Sequence, residues 1–214
     1  MANAKAISCA VIRRLPRYYR FLGELISSGC IRISSRELSD RMGLTASQIR
    51  QDLNCFGGFG QQGYGYNIEE LHKEIEKILG LDRRTDAILI GAGNLGRAVT
   101  NHMDFDNRGF QLIGIFDQNE ELVGQKIKEI EVMHTNEIEN FCAKHTPLVA
   151  ILCIPKTATK SISDRLIPLG IKGFWNFSHY DLLDRHPGIV VENVHMSDSL
   201  MTLSYKISQL KKEE

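Results

Sequence analysis

The sequence has 214 residues, of which 43% are hydrophobic and 24% are charged, and its 26 Lys and Arg balance 26 Asp and Glu. This composition excludes a disordered or fibrous protein, and the length accommodates two domains. No apolar run approaches the roughly 20 residues of a membrane span, and the first residues lack a signal peptide, so we expect a cytoplasmic protein without a membrane partner.

A basic N-terminal region contains the first predicted helices. Residues 1–66 carry nine Lys and Arg against four Asp and Glu, which favours contact with a polyanion, although solvated charge alone would produce the same imbalance. Pro16, which is suited to a first helical turn, predicts the start of a helix that ends near Ser28 and Gly29. Two capping-box patterns begin two further helices, and they pair Ser34 with Glu37 and Thr45 with Gln48.

The two capped helices have the spacing of a helix-turn-helix motif, which is typical of DNA-binding proteins and also of plain structural helices. Polar residues of the second helix lie opposite its apolar stripe. Because Arg pairs well with guanine and Gln with adenine, this face can contact base edges in a major groove. The predicted contacts are Thr45, Ser47, Gln48, Arg50 and Gln51, with phosphate contacts from Arg32, Arg36 and Arg41. Each arginine taken alone also fits a solvated surface position.

Aromatic residues and glycines alternate between Phe56 and Tyr66. Repeated positive φ at the glycines lets the rings pack on one side, so this stretch predicts a two-stranded ribbon, or wing. Its predicted DNA contacts are Gln61, Gln62 and Tyr64. An amphipathic helix over residues 68–79 follows, and residues 81–84 form a linker.

From Ala87 onward, strands and helices alternate, which predicts a parallel sheet covered by crossover helices. The predicted strands span residues 87–90, 111–116, 130–133, 148–153, 173–176 and 189–192. The predicted helices span residues 94–103, 136–144 and 157–169, and a last helix over about 199–210 carries apolar residues along one face. The fold class is therefore α/β, with a Rossmann-type parallel sheet after the N-terminal helices.

The loop Gly91-Ala92-Gly93-Asn94-Leu95-Gly96 joins the first of these strands to a helix, as the dinucleotide-binding fingerprint requires. Gly91 allows a tight turn, Gly93 lets backbone amides approach a pyrophosphate, and Gly96 lets helix and strand pack closely. The second strand ends in Asp117, 21 residues beyond Gly96, where a carboxylate binds the adenosine ribose. Because Asp117 repels a 2′-phosphate and residues 118–120 include no Arg, NAD(H) is favoured over NADP(H).

Other interpretations of these residues stay open. A glycine turn beside an acidic surface residue would show the same letters, and a Rossmann module can bind another adenine nucleotide such as coenzyme A. The segment Cys153-Ile154-Pro155, at the end of a later strand, is predicted to line the nicotinamide side of the site. A proline that only ends a strand explains this segment equally well.

No residue pattern indicates catalysis or a metal site. The five cysteines are scattered and never form a C-x-x-C pair, which argues against zinc and against a disulfide framework. Of the seven histidines, we take only His179, after Asn176-Phe177-Ser178, as placed at a plausible strand terminus, and a surface or capping role is the more common one for such a residue. Dinucleotide binding without catalytic groups, beside a basic helix-turn-helix, favours a sensor. The alternative is a small NAD-dependent oxidoreductase whose N-terminal helices dimerise it.

The chain resembles the Rex family of redox-sensing transcriptional repressors over nearly its whole length. The matching residues include Arg14-Leu15-Pro16, Ser34-Ser35-Arg36-Glu37-Leu38, Gln48-Ile49-Arg50-Gln51-Asp52-Leu53, residues 56–66, the loop 91–96, Gly114-Ile115-Phe116-Asp117, residues 170–173 and Asn176-Phe177. The resemblance implies a winged-helix domain with linker over residues 1–84, a Rossmann NAD(H)-binding domain over 85–196 and a C-terminal helix over 197–214 that is exchanged between subunits. It also implies a homodimer that binds palindromic operator DNA and is released when NADH replaces NAD+.

The resemblance also implies a role for two charged residues, and this chain departs from the family's sequence pattern at two places. Arg20 and Asp198 match charged positions in the family's domain contacts and are candidates for a state-dependent ion pair, with an ordinary surface pair as the alternative. Relatives often have basic wing residues where this chain has Gln61-Gln62, so phosphate attraction there should be weaker. Many relatives have Asn-Phe-Ala-Pro where this chain has Asn176-Phe177-Ser178-His179, which leaves the shape of that loop open.

Overall fold

The computed structural model describes residues 7–61, 64–183 and 186–213. The chain divides into two compact units, Met1–Asp82 and Arg83–Glu214. Each unit has an apolar core of its own, because the buried residues form separate clusters on either side of Asp82. Within the described ranges, no helix is both long and apolar enough to cross a bilayer.

The first unit combines four helices with a small antiparallel sheet. Its elements are α1 (Cys9–Ser27), β1 (Arg32–Ile33), α2 (Ser35–Met42), α3 (Ala46–Asn54), β2 (Gly60–Gln61), β3 (Gly65–Asn67) and α4 (Ile68–Leu79). The strand order is β1-β3-β2, and both strand pairs are antiparallel. The helices bury their apolar faces in a common core, which includes Leu15, Leu22, Leu38, Ile49 and Ile75. The predicted order of helix-turn-helix, ribbon and closing helix is thus present.

The start of α1 differs from the prediction. The helix begins at Cys9 rather than at Pro16, and the Ser8 hydroxyl accepts a hydrogen bond from the Val11 backbone N–H at 3.4 Å. Val11 is buried one turn before Leu15, so packing extends the helix beyond the point where the proline predicts its start. Pro16 lies inside the helix on an exposed face, where water can replace the missing backbone hydrogen bond.

The second unit is a seven-stranded sheet with helices on both faces. Its elements are β4 (Thr85–Ile90), α5 (Asn94–His102), β5 (Phe110–Asp117), β6 (Lys126–Ile127), β7 (Ile130–His134), α6 (Ile138–His145), β8 (Val149–Leu152), α7 (Lys156–Leu166), β9 (Gly173–Asn176), β10 (Val190–Asn193) and α8 (Met196–Glu213). The strand order is β10-β9-β8-β4-β5-β7-β6, and only β6 with β7 is antiparallel among these neighbours. α6 and α7 pack on one face and α5 on the other.

The topology places a crevice at the carboxyl end of β4. The chain continues from β4 to β5 on one side, whereas β8 lies on the other side of β4. Ligands of open parallel sheets bind at such a switch point. All six predicted strands are present, with ends that differ by at most two residues. The two-residue strand β6 was not predicted, because Lys126 and Ile127 are too short a run to show any alternation.

The last helix, α8, keeps its apolar side chains exposed. Leu200, Leu203 and Ile207 are 67%, 51% and 46% exposed, and no residue of α8 whose burial is described is buried. The helix starts three residues before the predicted start and ends three residues after the predicted end. The predicted exchange of this helix between subunits stays a prediction.

Candidate functional site

Glycines at the carboxyl end of β4 form a turn that other residues would disrupt. Gly91 has a φ of 98°, and a Cβ at this position would lie 2.5 Å from the carbonyl oxygen of Cys153. A Cβ on Gly96 would lie 1.8 Å from the carbonyl oxygen of Gly91. The backbone itself therefore requires glycine at both positions. Gly93 differs, because its Cβ would meet no atom within 4 Å, so its role in approaching a pyrophosphate stays a prediction.

The N-terminus of α5 follows this turn directly. Gly93 is the N-cap residue, and no side chain caps the helix. The first backbone N–H groups of α5, which include those of Asn94 and Leu95, thus keep their hydrogen-bonding capacity at the positive end of the helix dipole. Such a helix start is suited to a phosphate group.

Asp117 ends β5 beside the glycine turn. Its Oδ2 accepts a hydrogen bond from the Ala92 backbone N–H at 2.6 Å, and its Oδ1 accepts one from the Asn119 backbone N–H at 2.8 Å. These bonds hold the carboxylate in one orientation next to the loop. Each oxygen retains a second lone pair, so the carboxylate can still accept bonds from ribose hydroxyls.

A cleft of about 180 Å³ brings the predicted segments together. Its lining consists of Ile90, Gly91, Gly93, Asp117, Gln118, Thr135, Cys153, Ile154, Pro155, Ala158 and Ile162. Asn94, Leu95 and Gly96 begin α5 and do not line the cleft. Ile90, Gln118, Thr135, Ala158 and Ile162 were not predicted as lining residues. Two of them have neighbours that could have indicated this position from the sequence, since Ile90 directly precedes Gly91 and Gln118 directly follows Asp117.

The Cys153-Ile154-Pro155 segment lies where β8 passes into α7. Pro155 is the N-cap residue of α7, so it ends the strand segment and lines the cleft at the same time. Burial raises the pKa of the Cys153 thiol to about 12. The side of the cleft formed by this segment is therefore uncharged at neutral pH. From the sequence, Pro155 was interpreted either as a lining residue or as a residue that only ends a strand. In the structure it does both.

The loop after β9 is organised by a buried asparagine. The Asn176 side chain donates from Nδ2 to the Tyr180 carbonyl oxygen at 2.9 Å and to Asn193 Oδ1 at 2.8 Å. Its Oδ1 accepts bonds from the Ser178 backbone N–H at 3.1 Å and from the Ser178 hydroxyl at 2.7 Å. Ser178 thus gives the loop a defined shape. The ring of His179 lies 5.0 Å from that of His195, and neither residue lines the cleft.

The cleft contains little that could transfer a proton. Among its described lining residues, Asp117 and Cys153 are the titratable ones, and no histidine is present. Asp117 is occupied by backbone amides, and the Cys153 thiol stays protonated. The cleft is therefore suited to holding a nucleotide rather than to acid-base chemistry.

The helix-turn-helix in the first unit presents an exposed polar face. Ser34 forms a complete capping box with Glu37, Gly43 ends α2 in the left-handed conformation, and the Thr45 hydroxyl caps α3. The predicted DNA contacts Ser47, Arg50 and Gln51 are exposed, Gln48 is half-buried, and Arg32 and Arg36 are exposed. The structure places these polar groups on the surface, and their contacts with DNA stay a prediction.

Two of the predicted contacts already have protein partners. Arg50 Nη1 donates to the Ser35 hydroxyl at 2.9 Å, and Arg32 Nη1 donates to the Tyr64 carbonyl oxygen at 3.4 Å. The side chain of Tyr64 is 71% exposed. Gln62 and the side chain of Gln61 lie outside the described residues, so the predicted wing contacts are described only at Tyr64.

Sequence reasoning missed an ion pair between α1 and α3 whose carboxylate is buried. Asp52 is 2% exposed, and its carboxylate binds the Arg14 guanidinium with contacts of 2.6 and 2.7 Å. The Tyr18 hydroxyl donates to Asp52 Oδ2 at 2.9 Å. A signal was present, because Asp52 follows Ile49 by three positions and therefore lies on the buried stripe of α3.

The comparisons with known proteins cover nearly the whole chain. Residues 6–54 match the family model described as putative DNA-binding protein N-terminus, and residues 82–180 match the CoA binding domain. The redox-sensing transcriptional repressor Rex of Thermoanaerobacter sp. (strain X514) is 55% identical over 98% of this chain and 93% of its own. That of Clostridioides difficile (strain 630) is 53% identical over 98% and 99%. This chain belongs to the Rex family.

Solved Rex structures agree with this assignment. A crystal structure of RSP, a Rex-family repressor, has a TM-score of 0.89 at 52% identity and covers 97% of this chain and 96% of that one. RSP in complex with β-NAD+ and operator DNA has the same TM-score at 54% identity, over 98% of this chain and 97% of that one. The predicted fold class and family are confirmed, whereas exchange of the last helix is not tested. The chain is a redox-sensing transcriptional repressor and not an enzyme.

Proposed function

We propose that this Rex-family repressor binds palindromic operator DNA as a homodimer and is released when NADH replaces NAD+. The observation that carries the proposal is the cleft, which joins the Gly91 turn, Asp117 and the Cys153-Ile154-Pro155 segment in a chain that also has a helix-turn-helix. RSP, a relative at 51% identity over 98% of this chain, was crystallised with β-NADH. We place the repressor in the cytoplasm, since it must reach both operator DNA and the nicotinamide pool.

The geometry of the cleft supports the following nucleotide contacts. The pyrophosphate binds at the start of α5, with backbone N–H groups of residues 93–96 as donors. The Asp117 carboxylate accepts hydrogen bonds from the adenosine ribose hydroxyls and repels a 2′-phosphate, so NAD(H) is preferred to NADP(H). The nicotinamide ring lies toward Cys153, Ile154 and Pro155.

The redox state changes the charge of the ring that enters this apolar side. The oxidised ring is a cation, and its transfer out of water is costly, whereas the reduced ring is neutral. Cys153 is held as a neutral thiol, so the segment offers no anion to pair with the cation. NADH needs a differential affinity of about 3–5 kcal/mol between two states of the dimer to turn a mostly bound repressor into a mostly released one.

On the DNA side, α3 enters the major groove with Ser47, Gln48, Arg50 and Gln51, and Thr45 lies at its start. Arg32, Arg36 and Tyr64 bind the neighbouring backbone, together with the wing residues Gln61 and Gln62. The capping of α3 by Thr45 Oγ1, which accepts from the Gln48 backbone N–H at 3.1 Å, fixes the start of this helix.

Arg20 and Asp198 form the state-dependent ion pair of the dimer in this proposal. Arg20 is exposed on α1, and the Asp198 carboxylate lies in the first turn of α8, 3.8 Å from His195 Nδ1. Both side chains are accessible, so they can form and break a contact without a large burial cost. An exposed pair contributes at most about 1 kcal/mol, so it can provide only part of the differential affinity.

A second copy of the chain covers two apolar surfaces of the second unit. One is the exposed face of α8, with Leu200, Leu203 and Ile207. The other is a cavity of about 520 Å³ lined by Ala87, Met103, Phe105, Arg108, Phe110, Val149, Ile151, Gly173, Phe174, Trp175, Val190 and Glu192. Exposed apolar surfaces of this extent mark protein contacts in soluble proteins, and two copies present them to each other symmetrically.

The test measures retention of a fluorescent palindromic duplex while NADH or NAD+ is added. We expect NADH to release the duplex and NAD+ to leave it bound, with a molar mass of the free protein that corresponds to two chains. Asp198→Ala should weaken the NADH response without weakening NADH binding. Retention that ignores NADH would contradict the proposal, and a response unchanged in Asp198→Ala would remove the ion-pair role.

Coenzyme A provides the matched ligand control, because residues 82–180 match a CoA binding domain. It shares the adenine and pyrophosphate groups of NADH and lacks the nicotinamide. We expect NADH to bind more tightly and coenzyme A to cause no release of DNA. Release by coenzyme A at equal concentration would contradict redox sensing by this cleft.

A further inference from the structure

Polar side chains of α1 contact both helices of the helix-turn-helix. Arg14 donates two parallel hydrogen bonds to Asp52 of α3, from Nε to Oδ2 at 2.6 Å and from Nη2 to Oδ1 at 2.7 Å. The Tyr18 hydroxyl donates to the same Oδ2 at 2.9 Å. Arg17 Nη2 donates to the carbonyl oxygen of Met42, the last residue of α2.

Arg14 and Tyr18, the two residues that donate to Asp52, keep one protonation state near neutral pH. The hydrogen bond to Asp52 raises the pKa of Arg14, so the guanidinium stays charged. Burial raises the pKa of Tyr18, and its hydrogen bond to Asp52 raises it further, so the hydroxyl remains a donor. The Asp52 carboxylate thus has three permanent donors in a nearly closed environment.

Such an arrangement fixes the orientation of α3 more than it adds to the free energy of unfolding. A buried ion pair can often be replaced by apolar residues of similar size without loss of stability, because desolvation offsets the attraction. Ile49 and Leu53 already attach α3 to the core through apolar contacts, which are not directional. A two-bond contact between a guanidinium and a carboxylate adds a defined geometry, and it does so on the residue directly after Gln51.

A small rotation of α3 would displace its exposed side chains. Helix side chains extend about 5–6 Å from the axis, so a rotation of about 10° moves their outer atoms by about 1 Å. Hydrogen bonds to base edges tolerate only a few tenths of an ångström around 2.9 Å before they weaken. Contacts with the phosphate backbone are less sensitive, because charge attraction falls slowly with distance.

We propose that Arg14, Tyr18 and Asp52 are positioning residues that set the rotation of α3 and thereby the operator specificity of the repressor. The inference rests on the proposed function, in which α3 contacts the bases. It assigns a role to residues that face away from DNA, and it separates operator specificity from general attraction to DNA.

The test compares an apolar triple variant, Arg14→Met with Tyr18→Phe and Asp52→Leu, with the control Arg13→Met with Asp40→Leu. Arg13 and Asp40 are exposed on α1 and α2, so the control makes the same change in charge outside the buried site. Affinity is measured for a duplex selected from a random-sequence library by the wild-type protein and for the same duplex with scrambled half-sites. The unfolding midpoint and the NADH affinity are measured in parallel.

We expect the selected-to-scrambled affinity ratio to fall about tenfold or more in the triple variant, as when a base contact is lost, and to stay at the wild-type value in the control. The unfolding midpoint and the NADH affinity should stay near wild type in both. An unchanged ratio in a folded triple variant would overturn the inference. If the triple variant does not fold, Arg14→Lys decides, because lysine cannot form the two-bond contact and should lower the ratio by a smaller factor.

Failure of the proposed function gives a different result. In that case the wild-type protein itself selects no duplex, or its selected duplex is not released by NADH. A wild-type protein that selects and releases DNA, together with an Arg14→Lys variant of unchanged ratio, would overturn the positioning role alone.

Discussion

The nucleotide cleft and the helix-turn-helix face obtain their geometry in different ways. At the cleft, backbone atoms define the shape: Gly91 and Gly96 have no room for a Cβ, and Asp117 is held by backbone amides. At the helix-turn-helix, side chains define the shape, through the cap at Ser34 and the buried contacts of Asp52. The two regions therefore differ in the kind of contact rather than in its range along the chain, because Gly91 faces the carbonyl oxygen of Cys153 62 positions further on and Arg14 binds Asp52 38 positions further on.

This difference predicts how each region responds to substitution. A substitution at Gly91 or Gly96 must displace main-chain atoms, so it should act as an all-or-none change. Substitutions in the side-chain network should act by degrees, because neighbouring side chains can relax. The following variants test the contrast in order of decreasing effect.

Gly96→Ala should have the largest effect. The new Cβ would lie 1.8 Å from the Gly91 carbonyl oxygen, so the turn has to open and NADH binding should be lost, with lower stability of the second unit. Gly93→Ala is the matched substitution, since its Cβ meets no atom within 4 Å. It should keep the unfolding temperature of the nucleotide-free protein and weaken only NADH binding. Equal unfolding temperatures for both variants would contradict the contrast.

Asp117→Ala should weaken NADH binding by about ten- to a hundredfold, the loss expected for hydrogen bonds to a charged group. It should also reduce the preference for NADH over NADPH, because the repulsive carboxylate is gone. Titration calorimetry with both nucleotides measures the two effects. Glu121→Ala, an exposed acidic residue four positions further along the chain, is the control and should change neither. An Asp117→Ala variant with wild-type affinity would favour a different nucleotide.

Ser34→Ala should destabilise the first unit by about 1 kcal/mol, because the N-cap hydroxyl that accepts from the Glu37 backbone N–H at 3.1 Å is removed. Thermal unfolding of the full chain measures the loss, which is read from the transition whose midpoint the substitution lowers. Ser27→Ala is a suitable control, since its hydroxyl donates only within α1 to the Gly23 carbonyl oxygen. A loss as large in the control would indicate that the cap is not the cause.

Substitution of His72 should have the smallest effect, which is a change in how stability depends on pH. Burial lowers the pKa of His72 below its ordinary value of 6.5, and the His72 ring stacks on the Tyr19 ring with 4.1 Å between their centroids. Stability from this group is therefore complete above about pH 6.5 and is lost as the pH falls through the lower value. His72→Phe should flatten the decline of the unfolding midpoint between pH 7 and 5. The exposed His102→Phe should leave it unchanged.

The contrast also explains what the sequence could predict. The glycine loop and Asp117 were identified because their spacing along the chain is set by one strand-turn-helix and one further strand. Gln118 follows β5 and Thr135 follows β7, so the order of strands in the sheet brings both residues to the cleft. No local sequence pattern around Thr135 indicates this position. Pro16 misled because packing of Val11 extended the helix. The Arg14 contact with Asp52 depends on how α1 and α3 pack, which periodicity alone does not give.

The exposed apolar face of α8 has a consequence for gene dosage. If pairs of chains are the form that binds operators, their number at low expression rises with the square of the amount of protein made. Halving synthesis would then remove about three quarters of the operator-binding pairs, by mass action alone. The cell would set the threshold of its redox response partly through the copy number of the repressor. In the proposed dimer, that dependence would rest on the exposed side chains Leu200, Leu203 and Ile207.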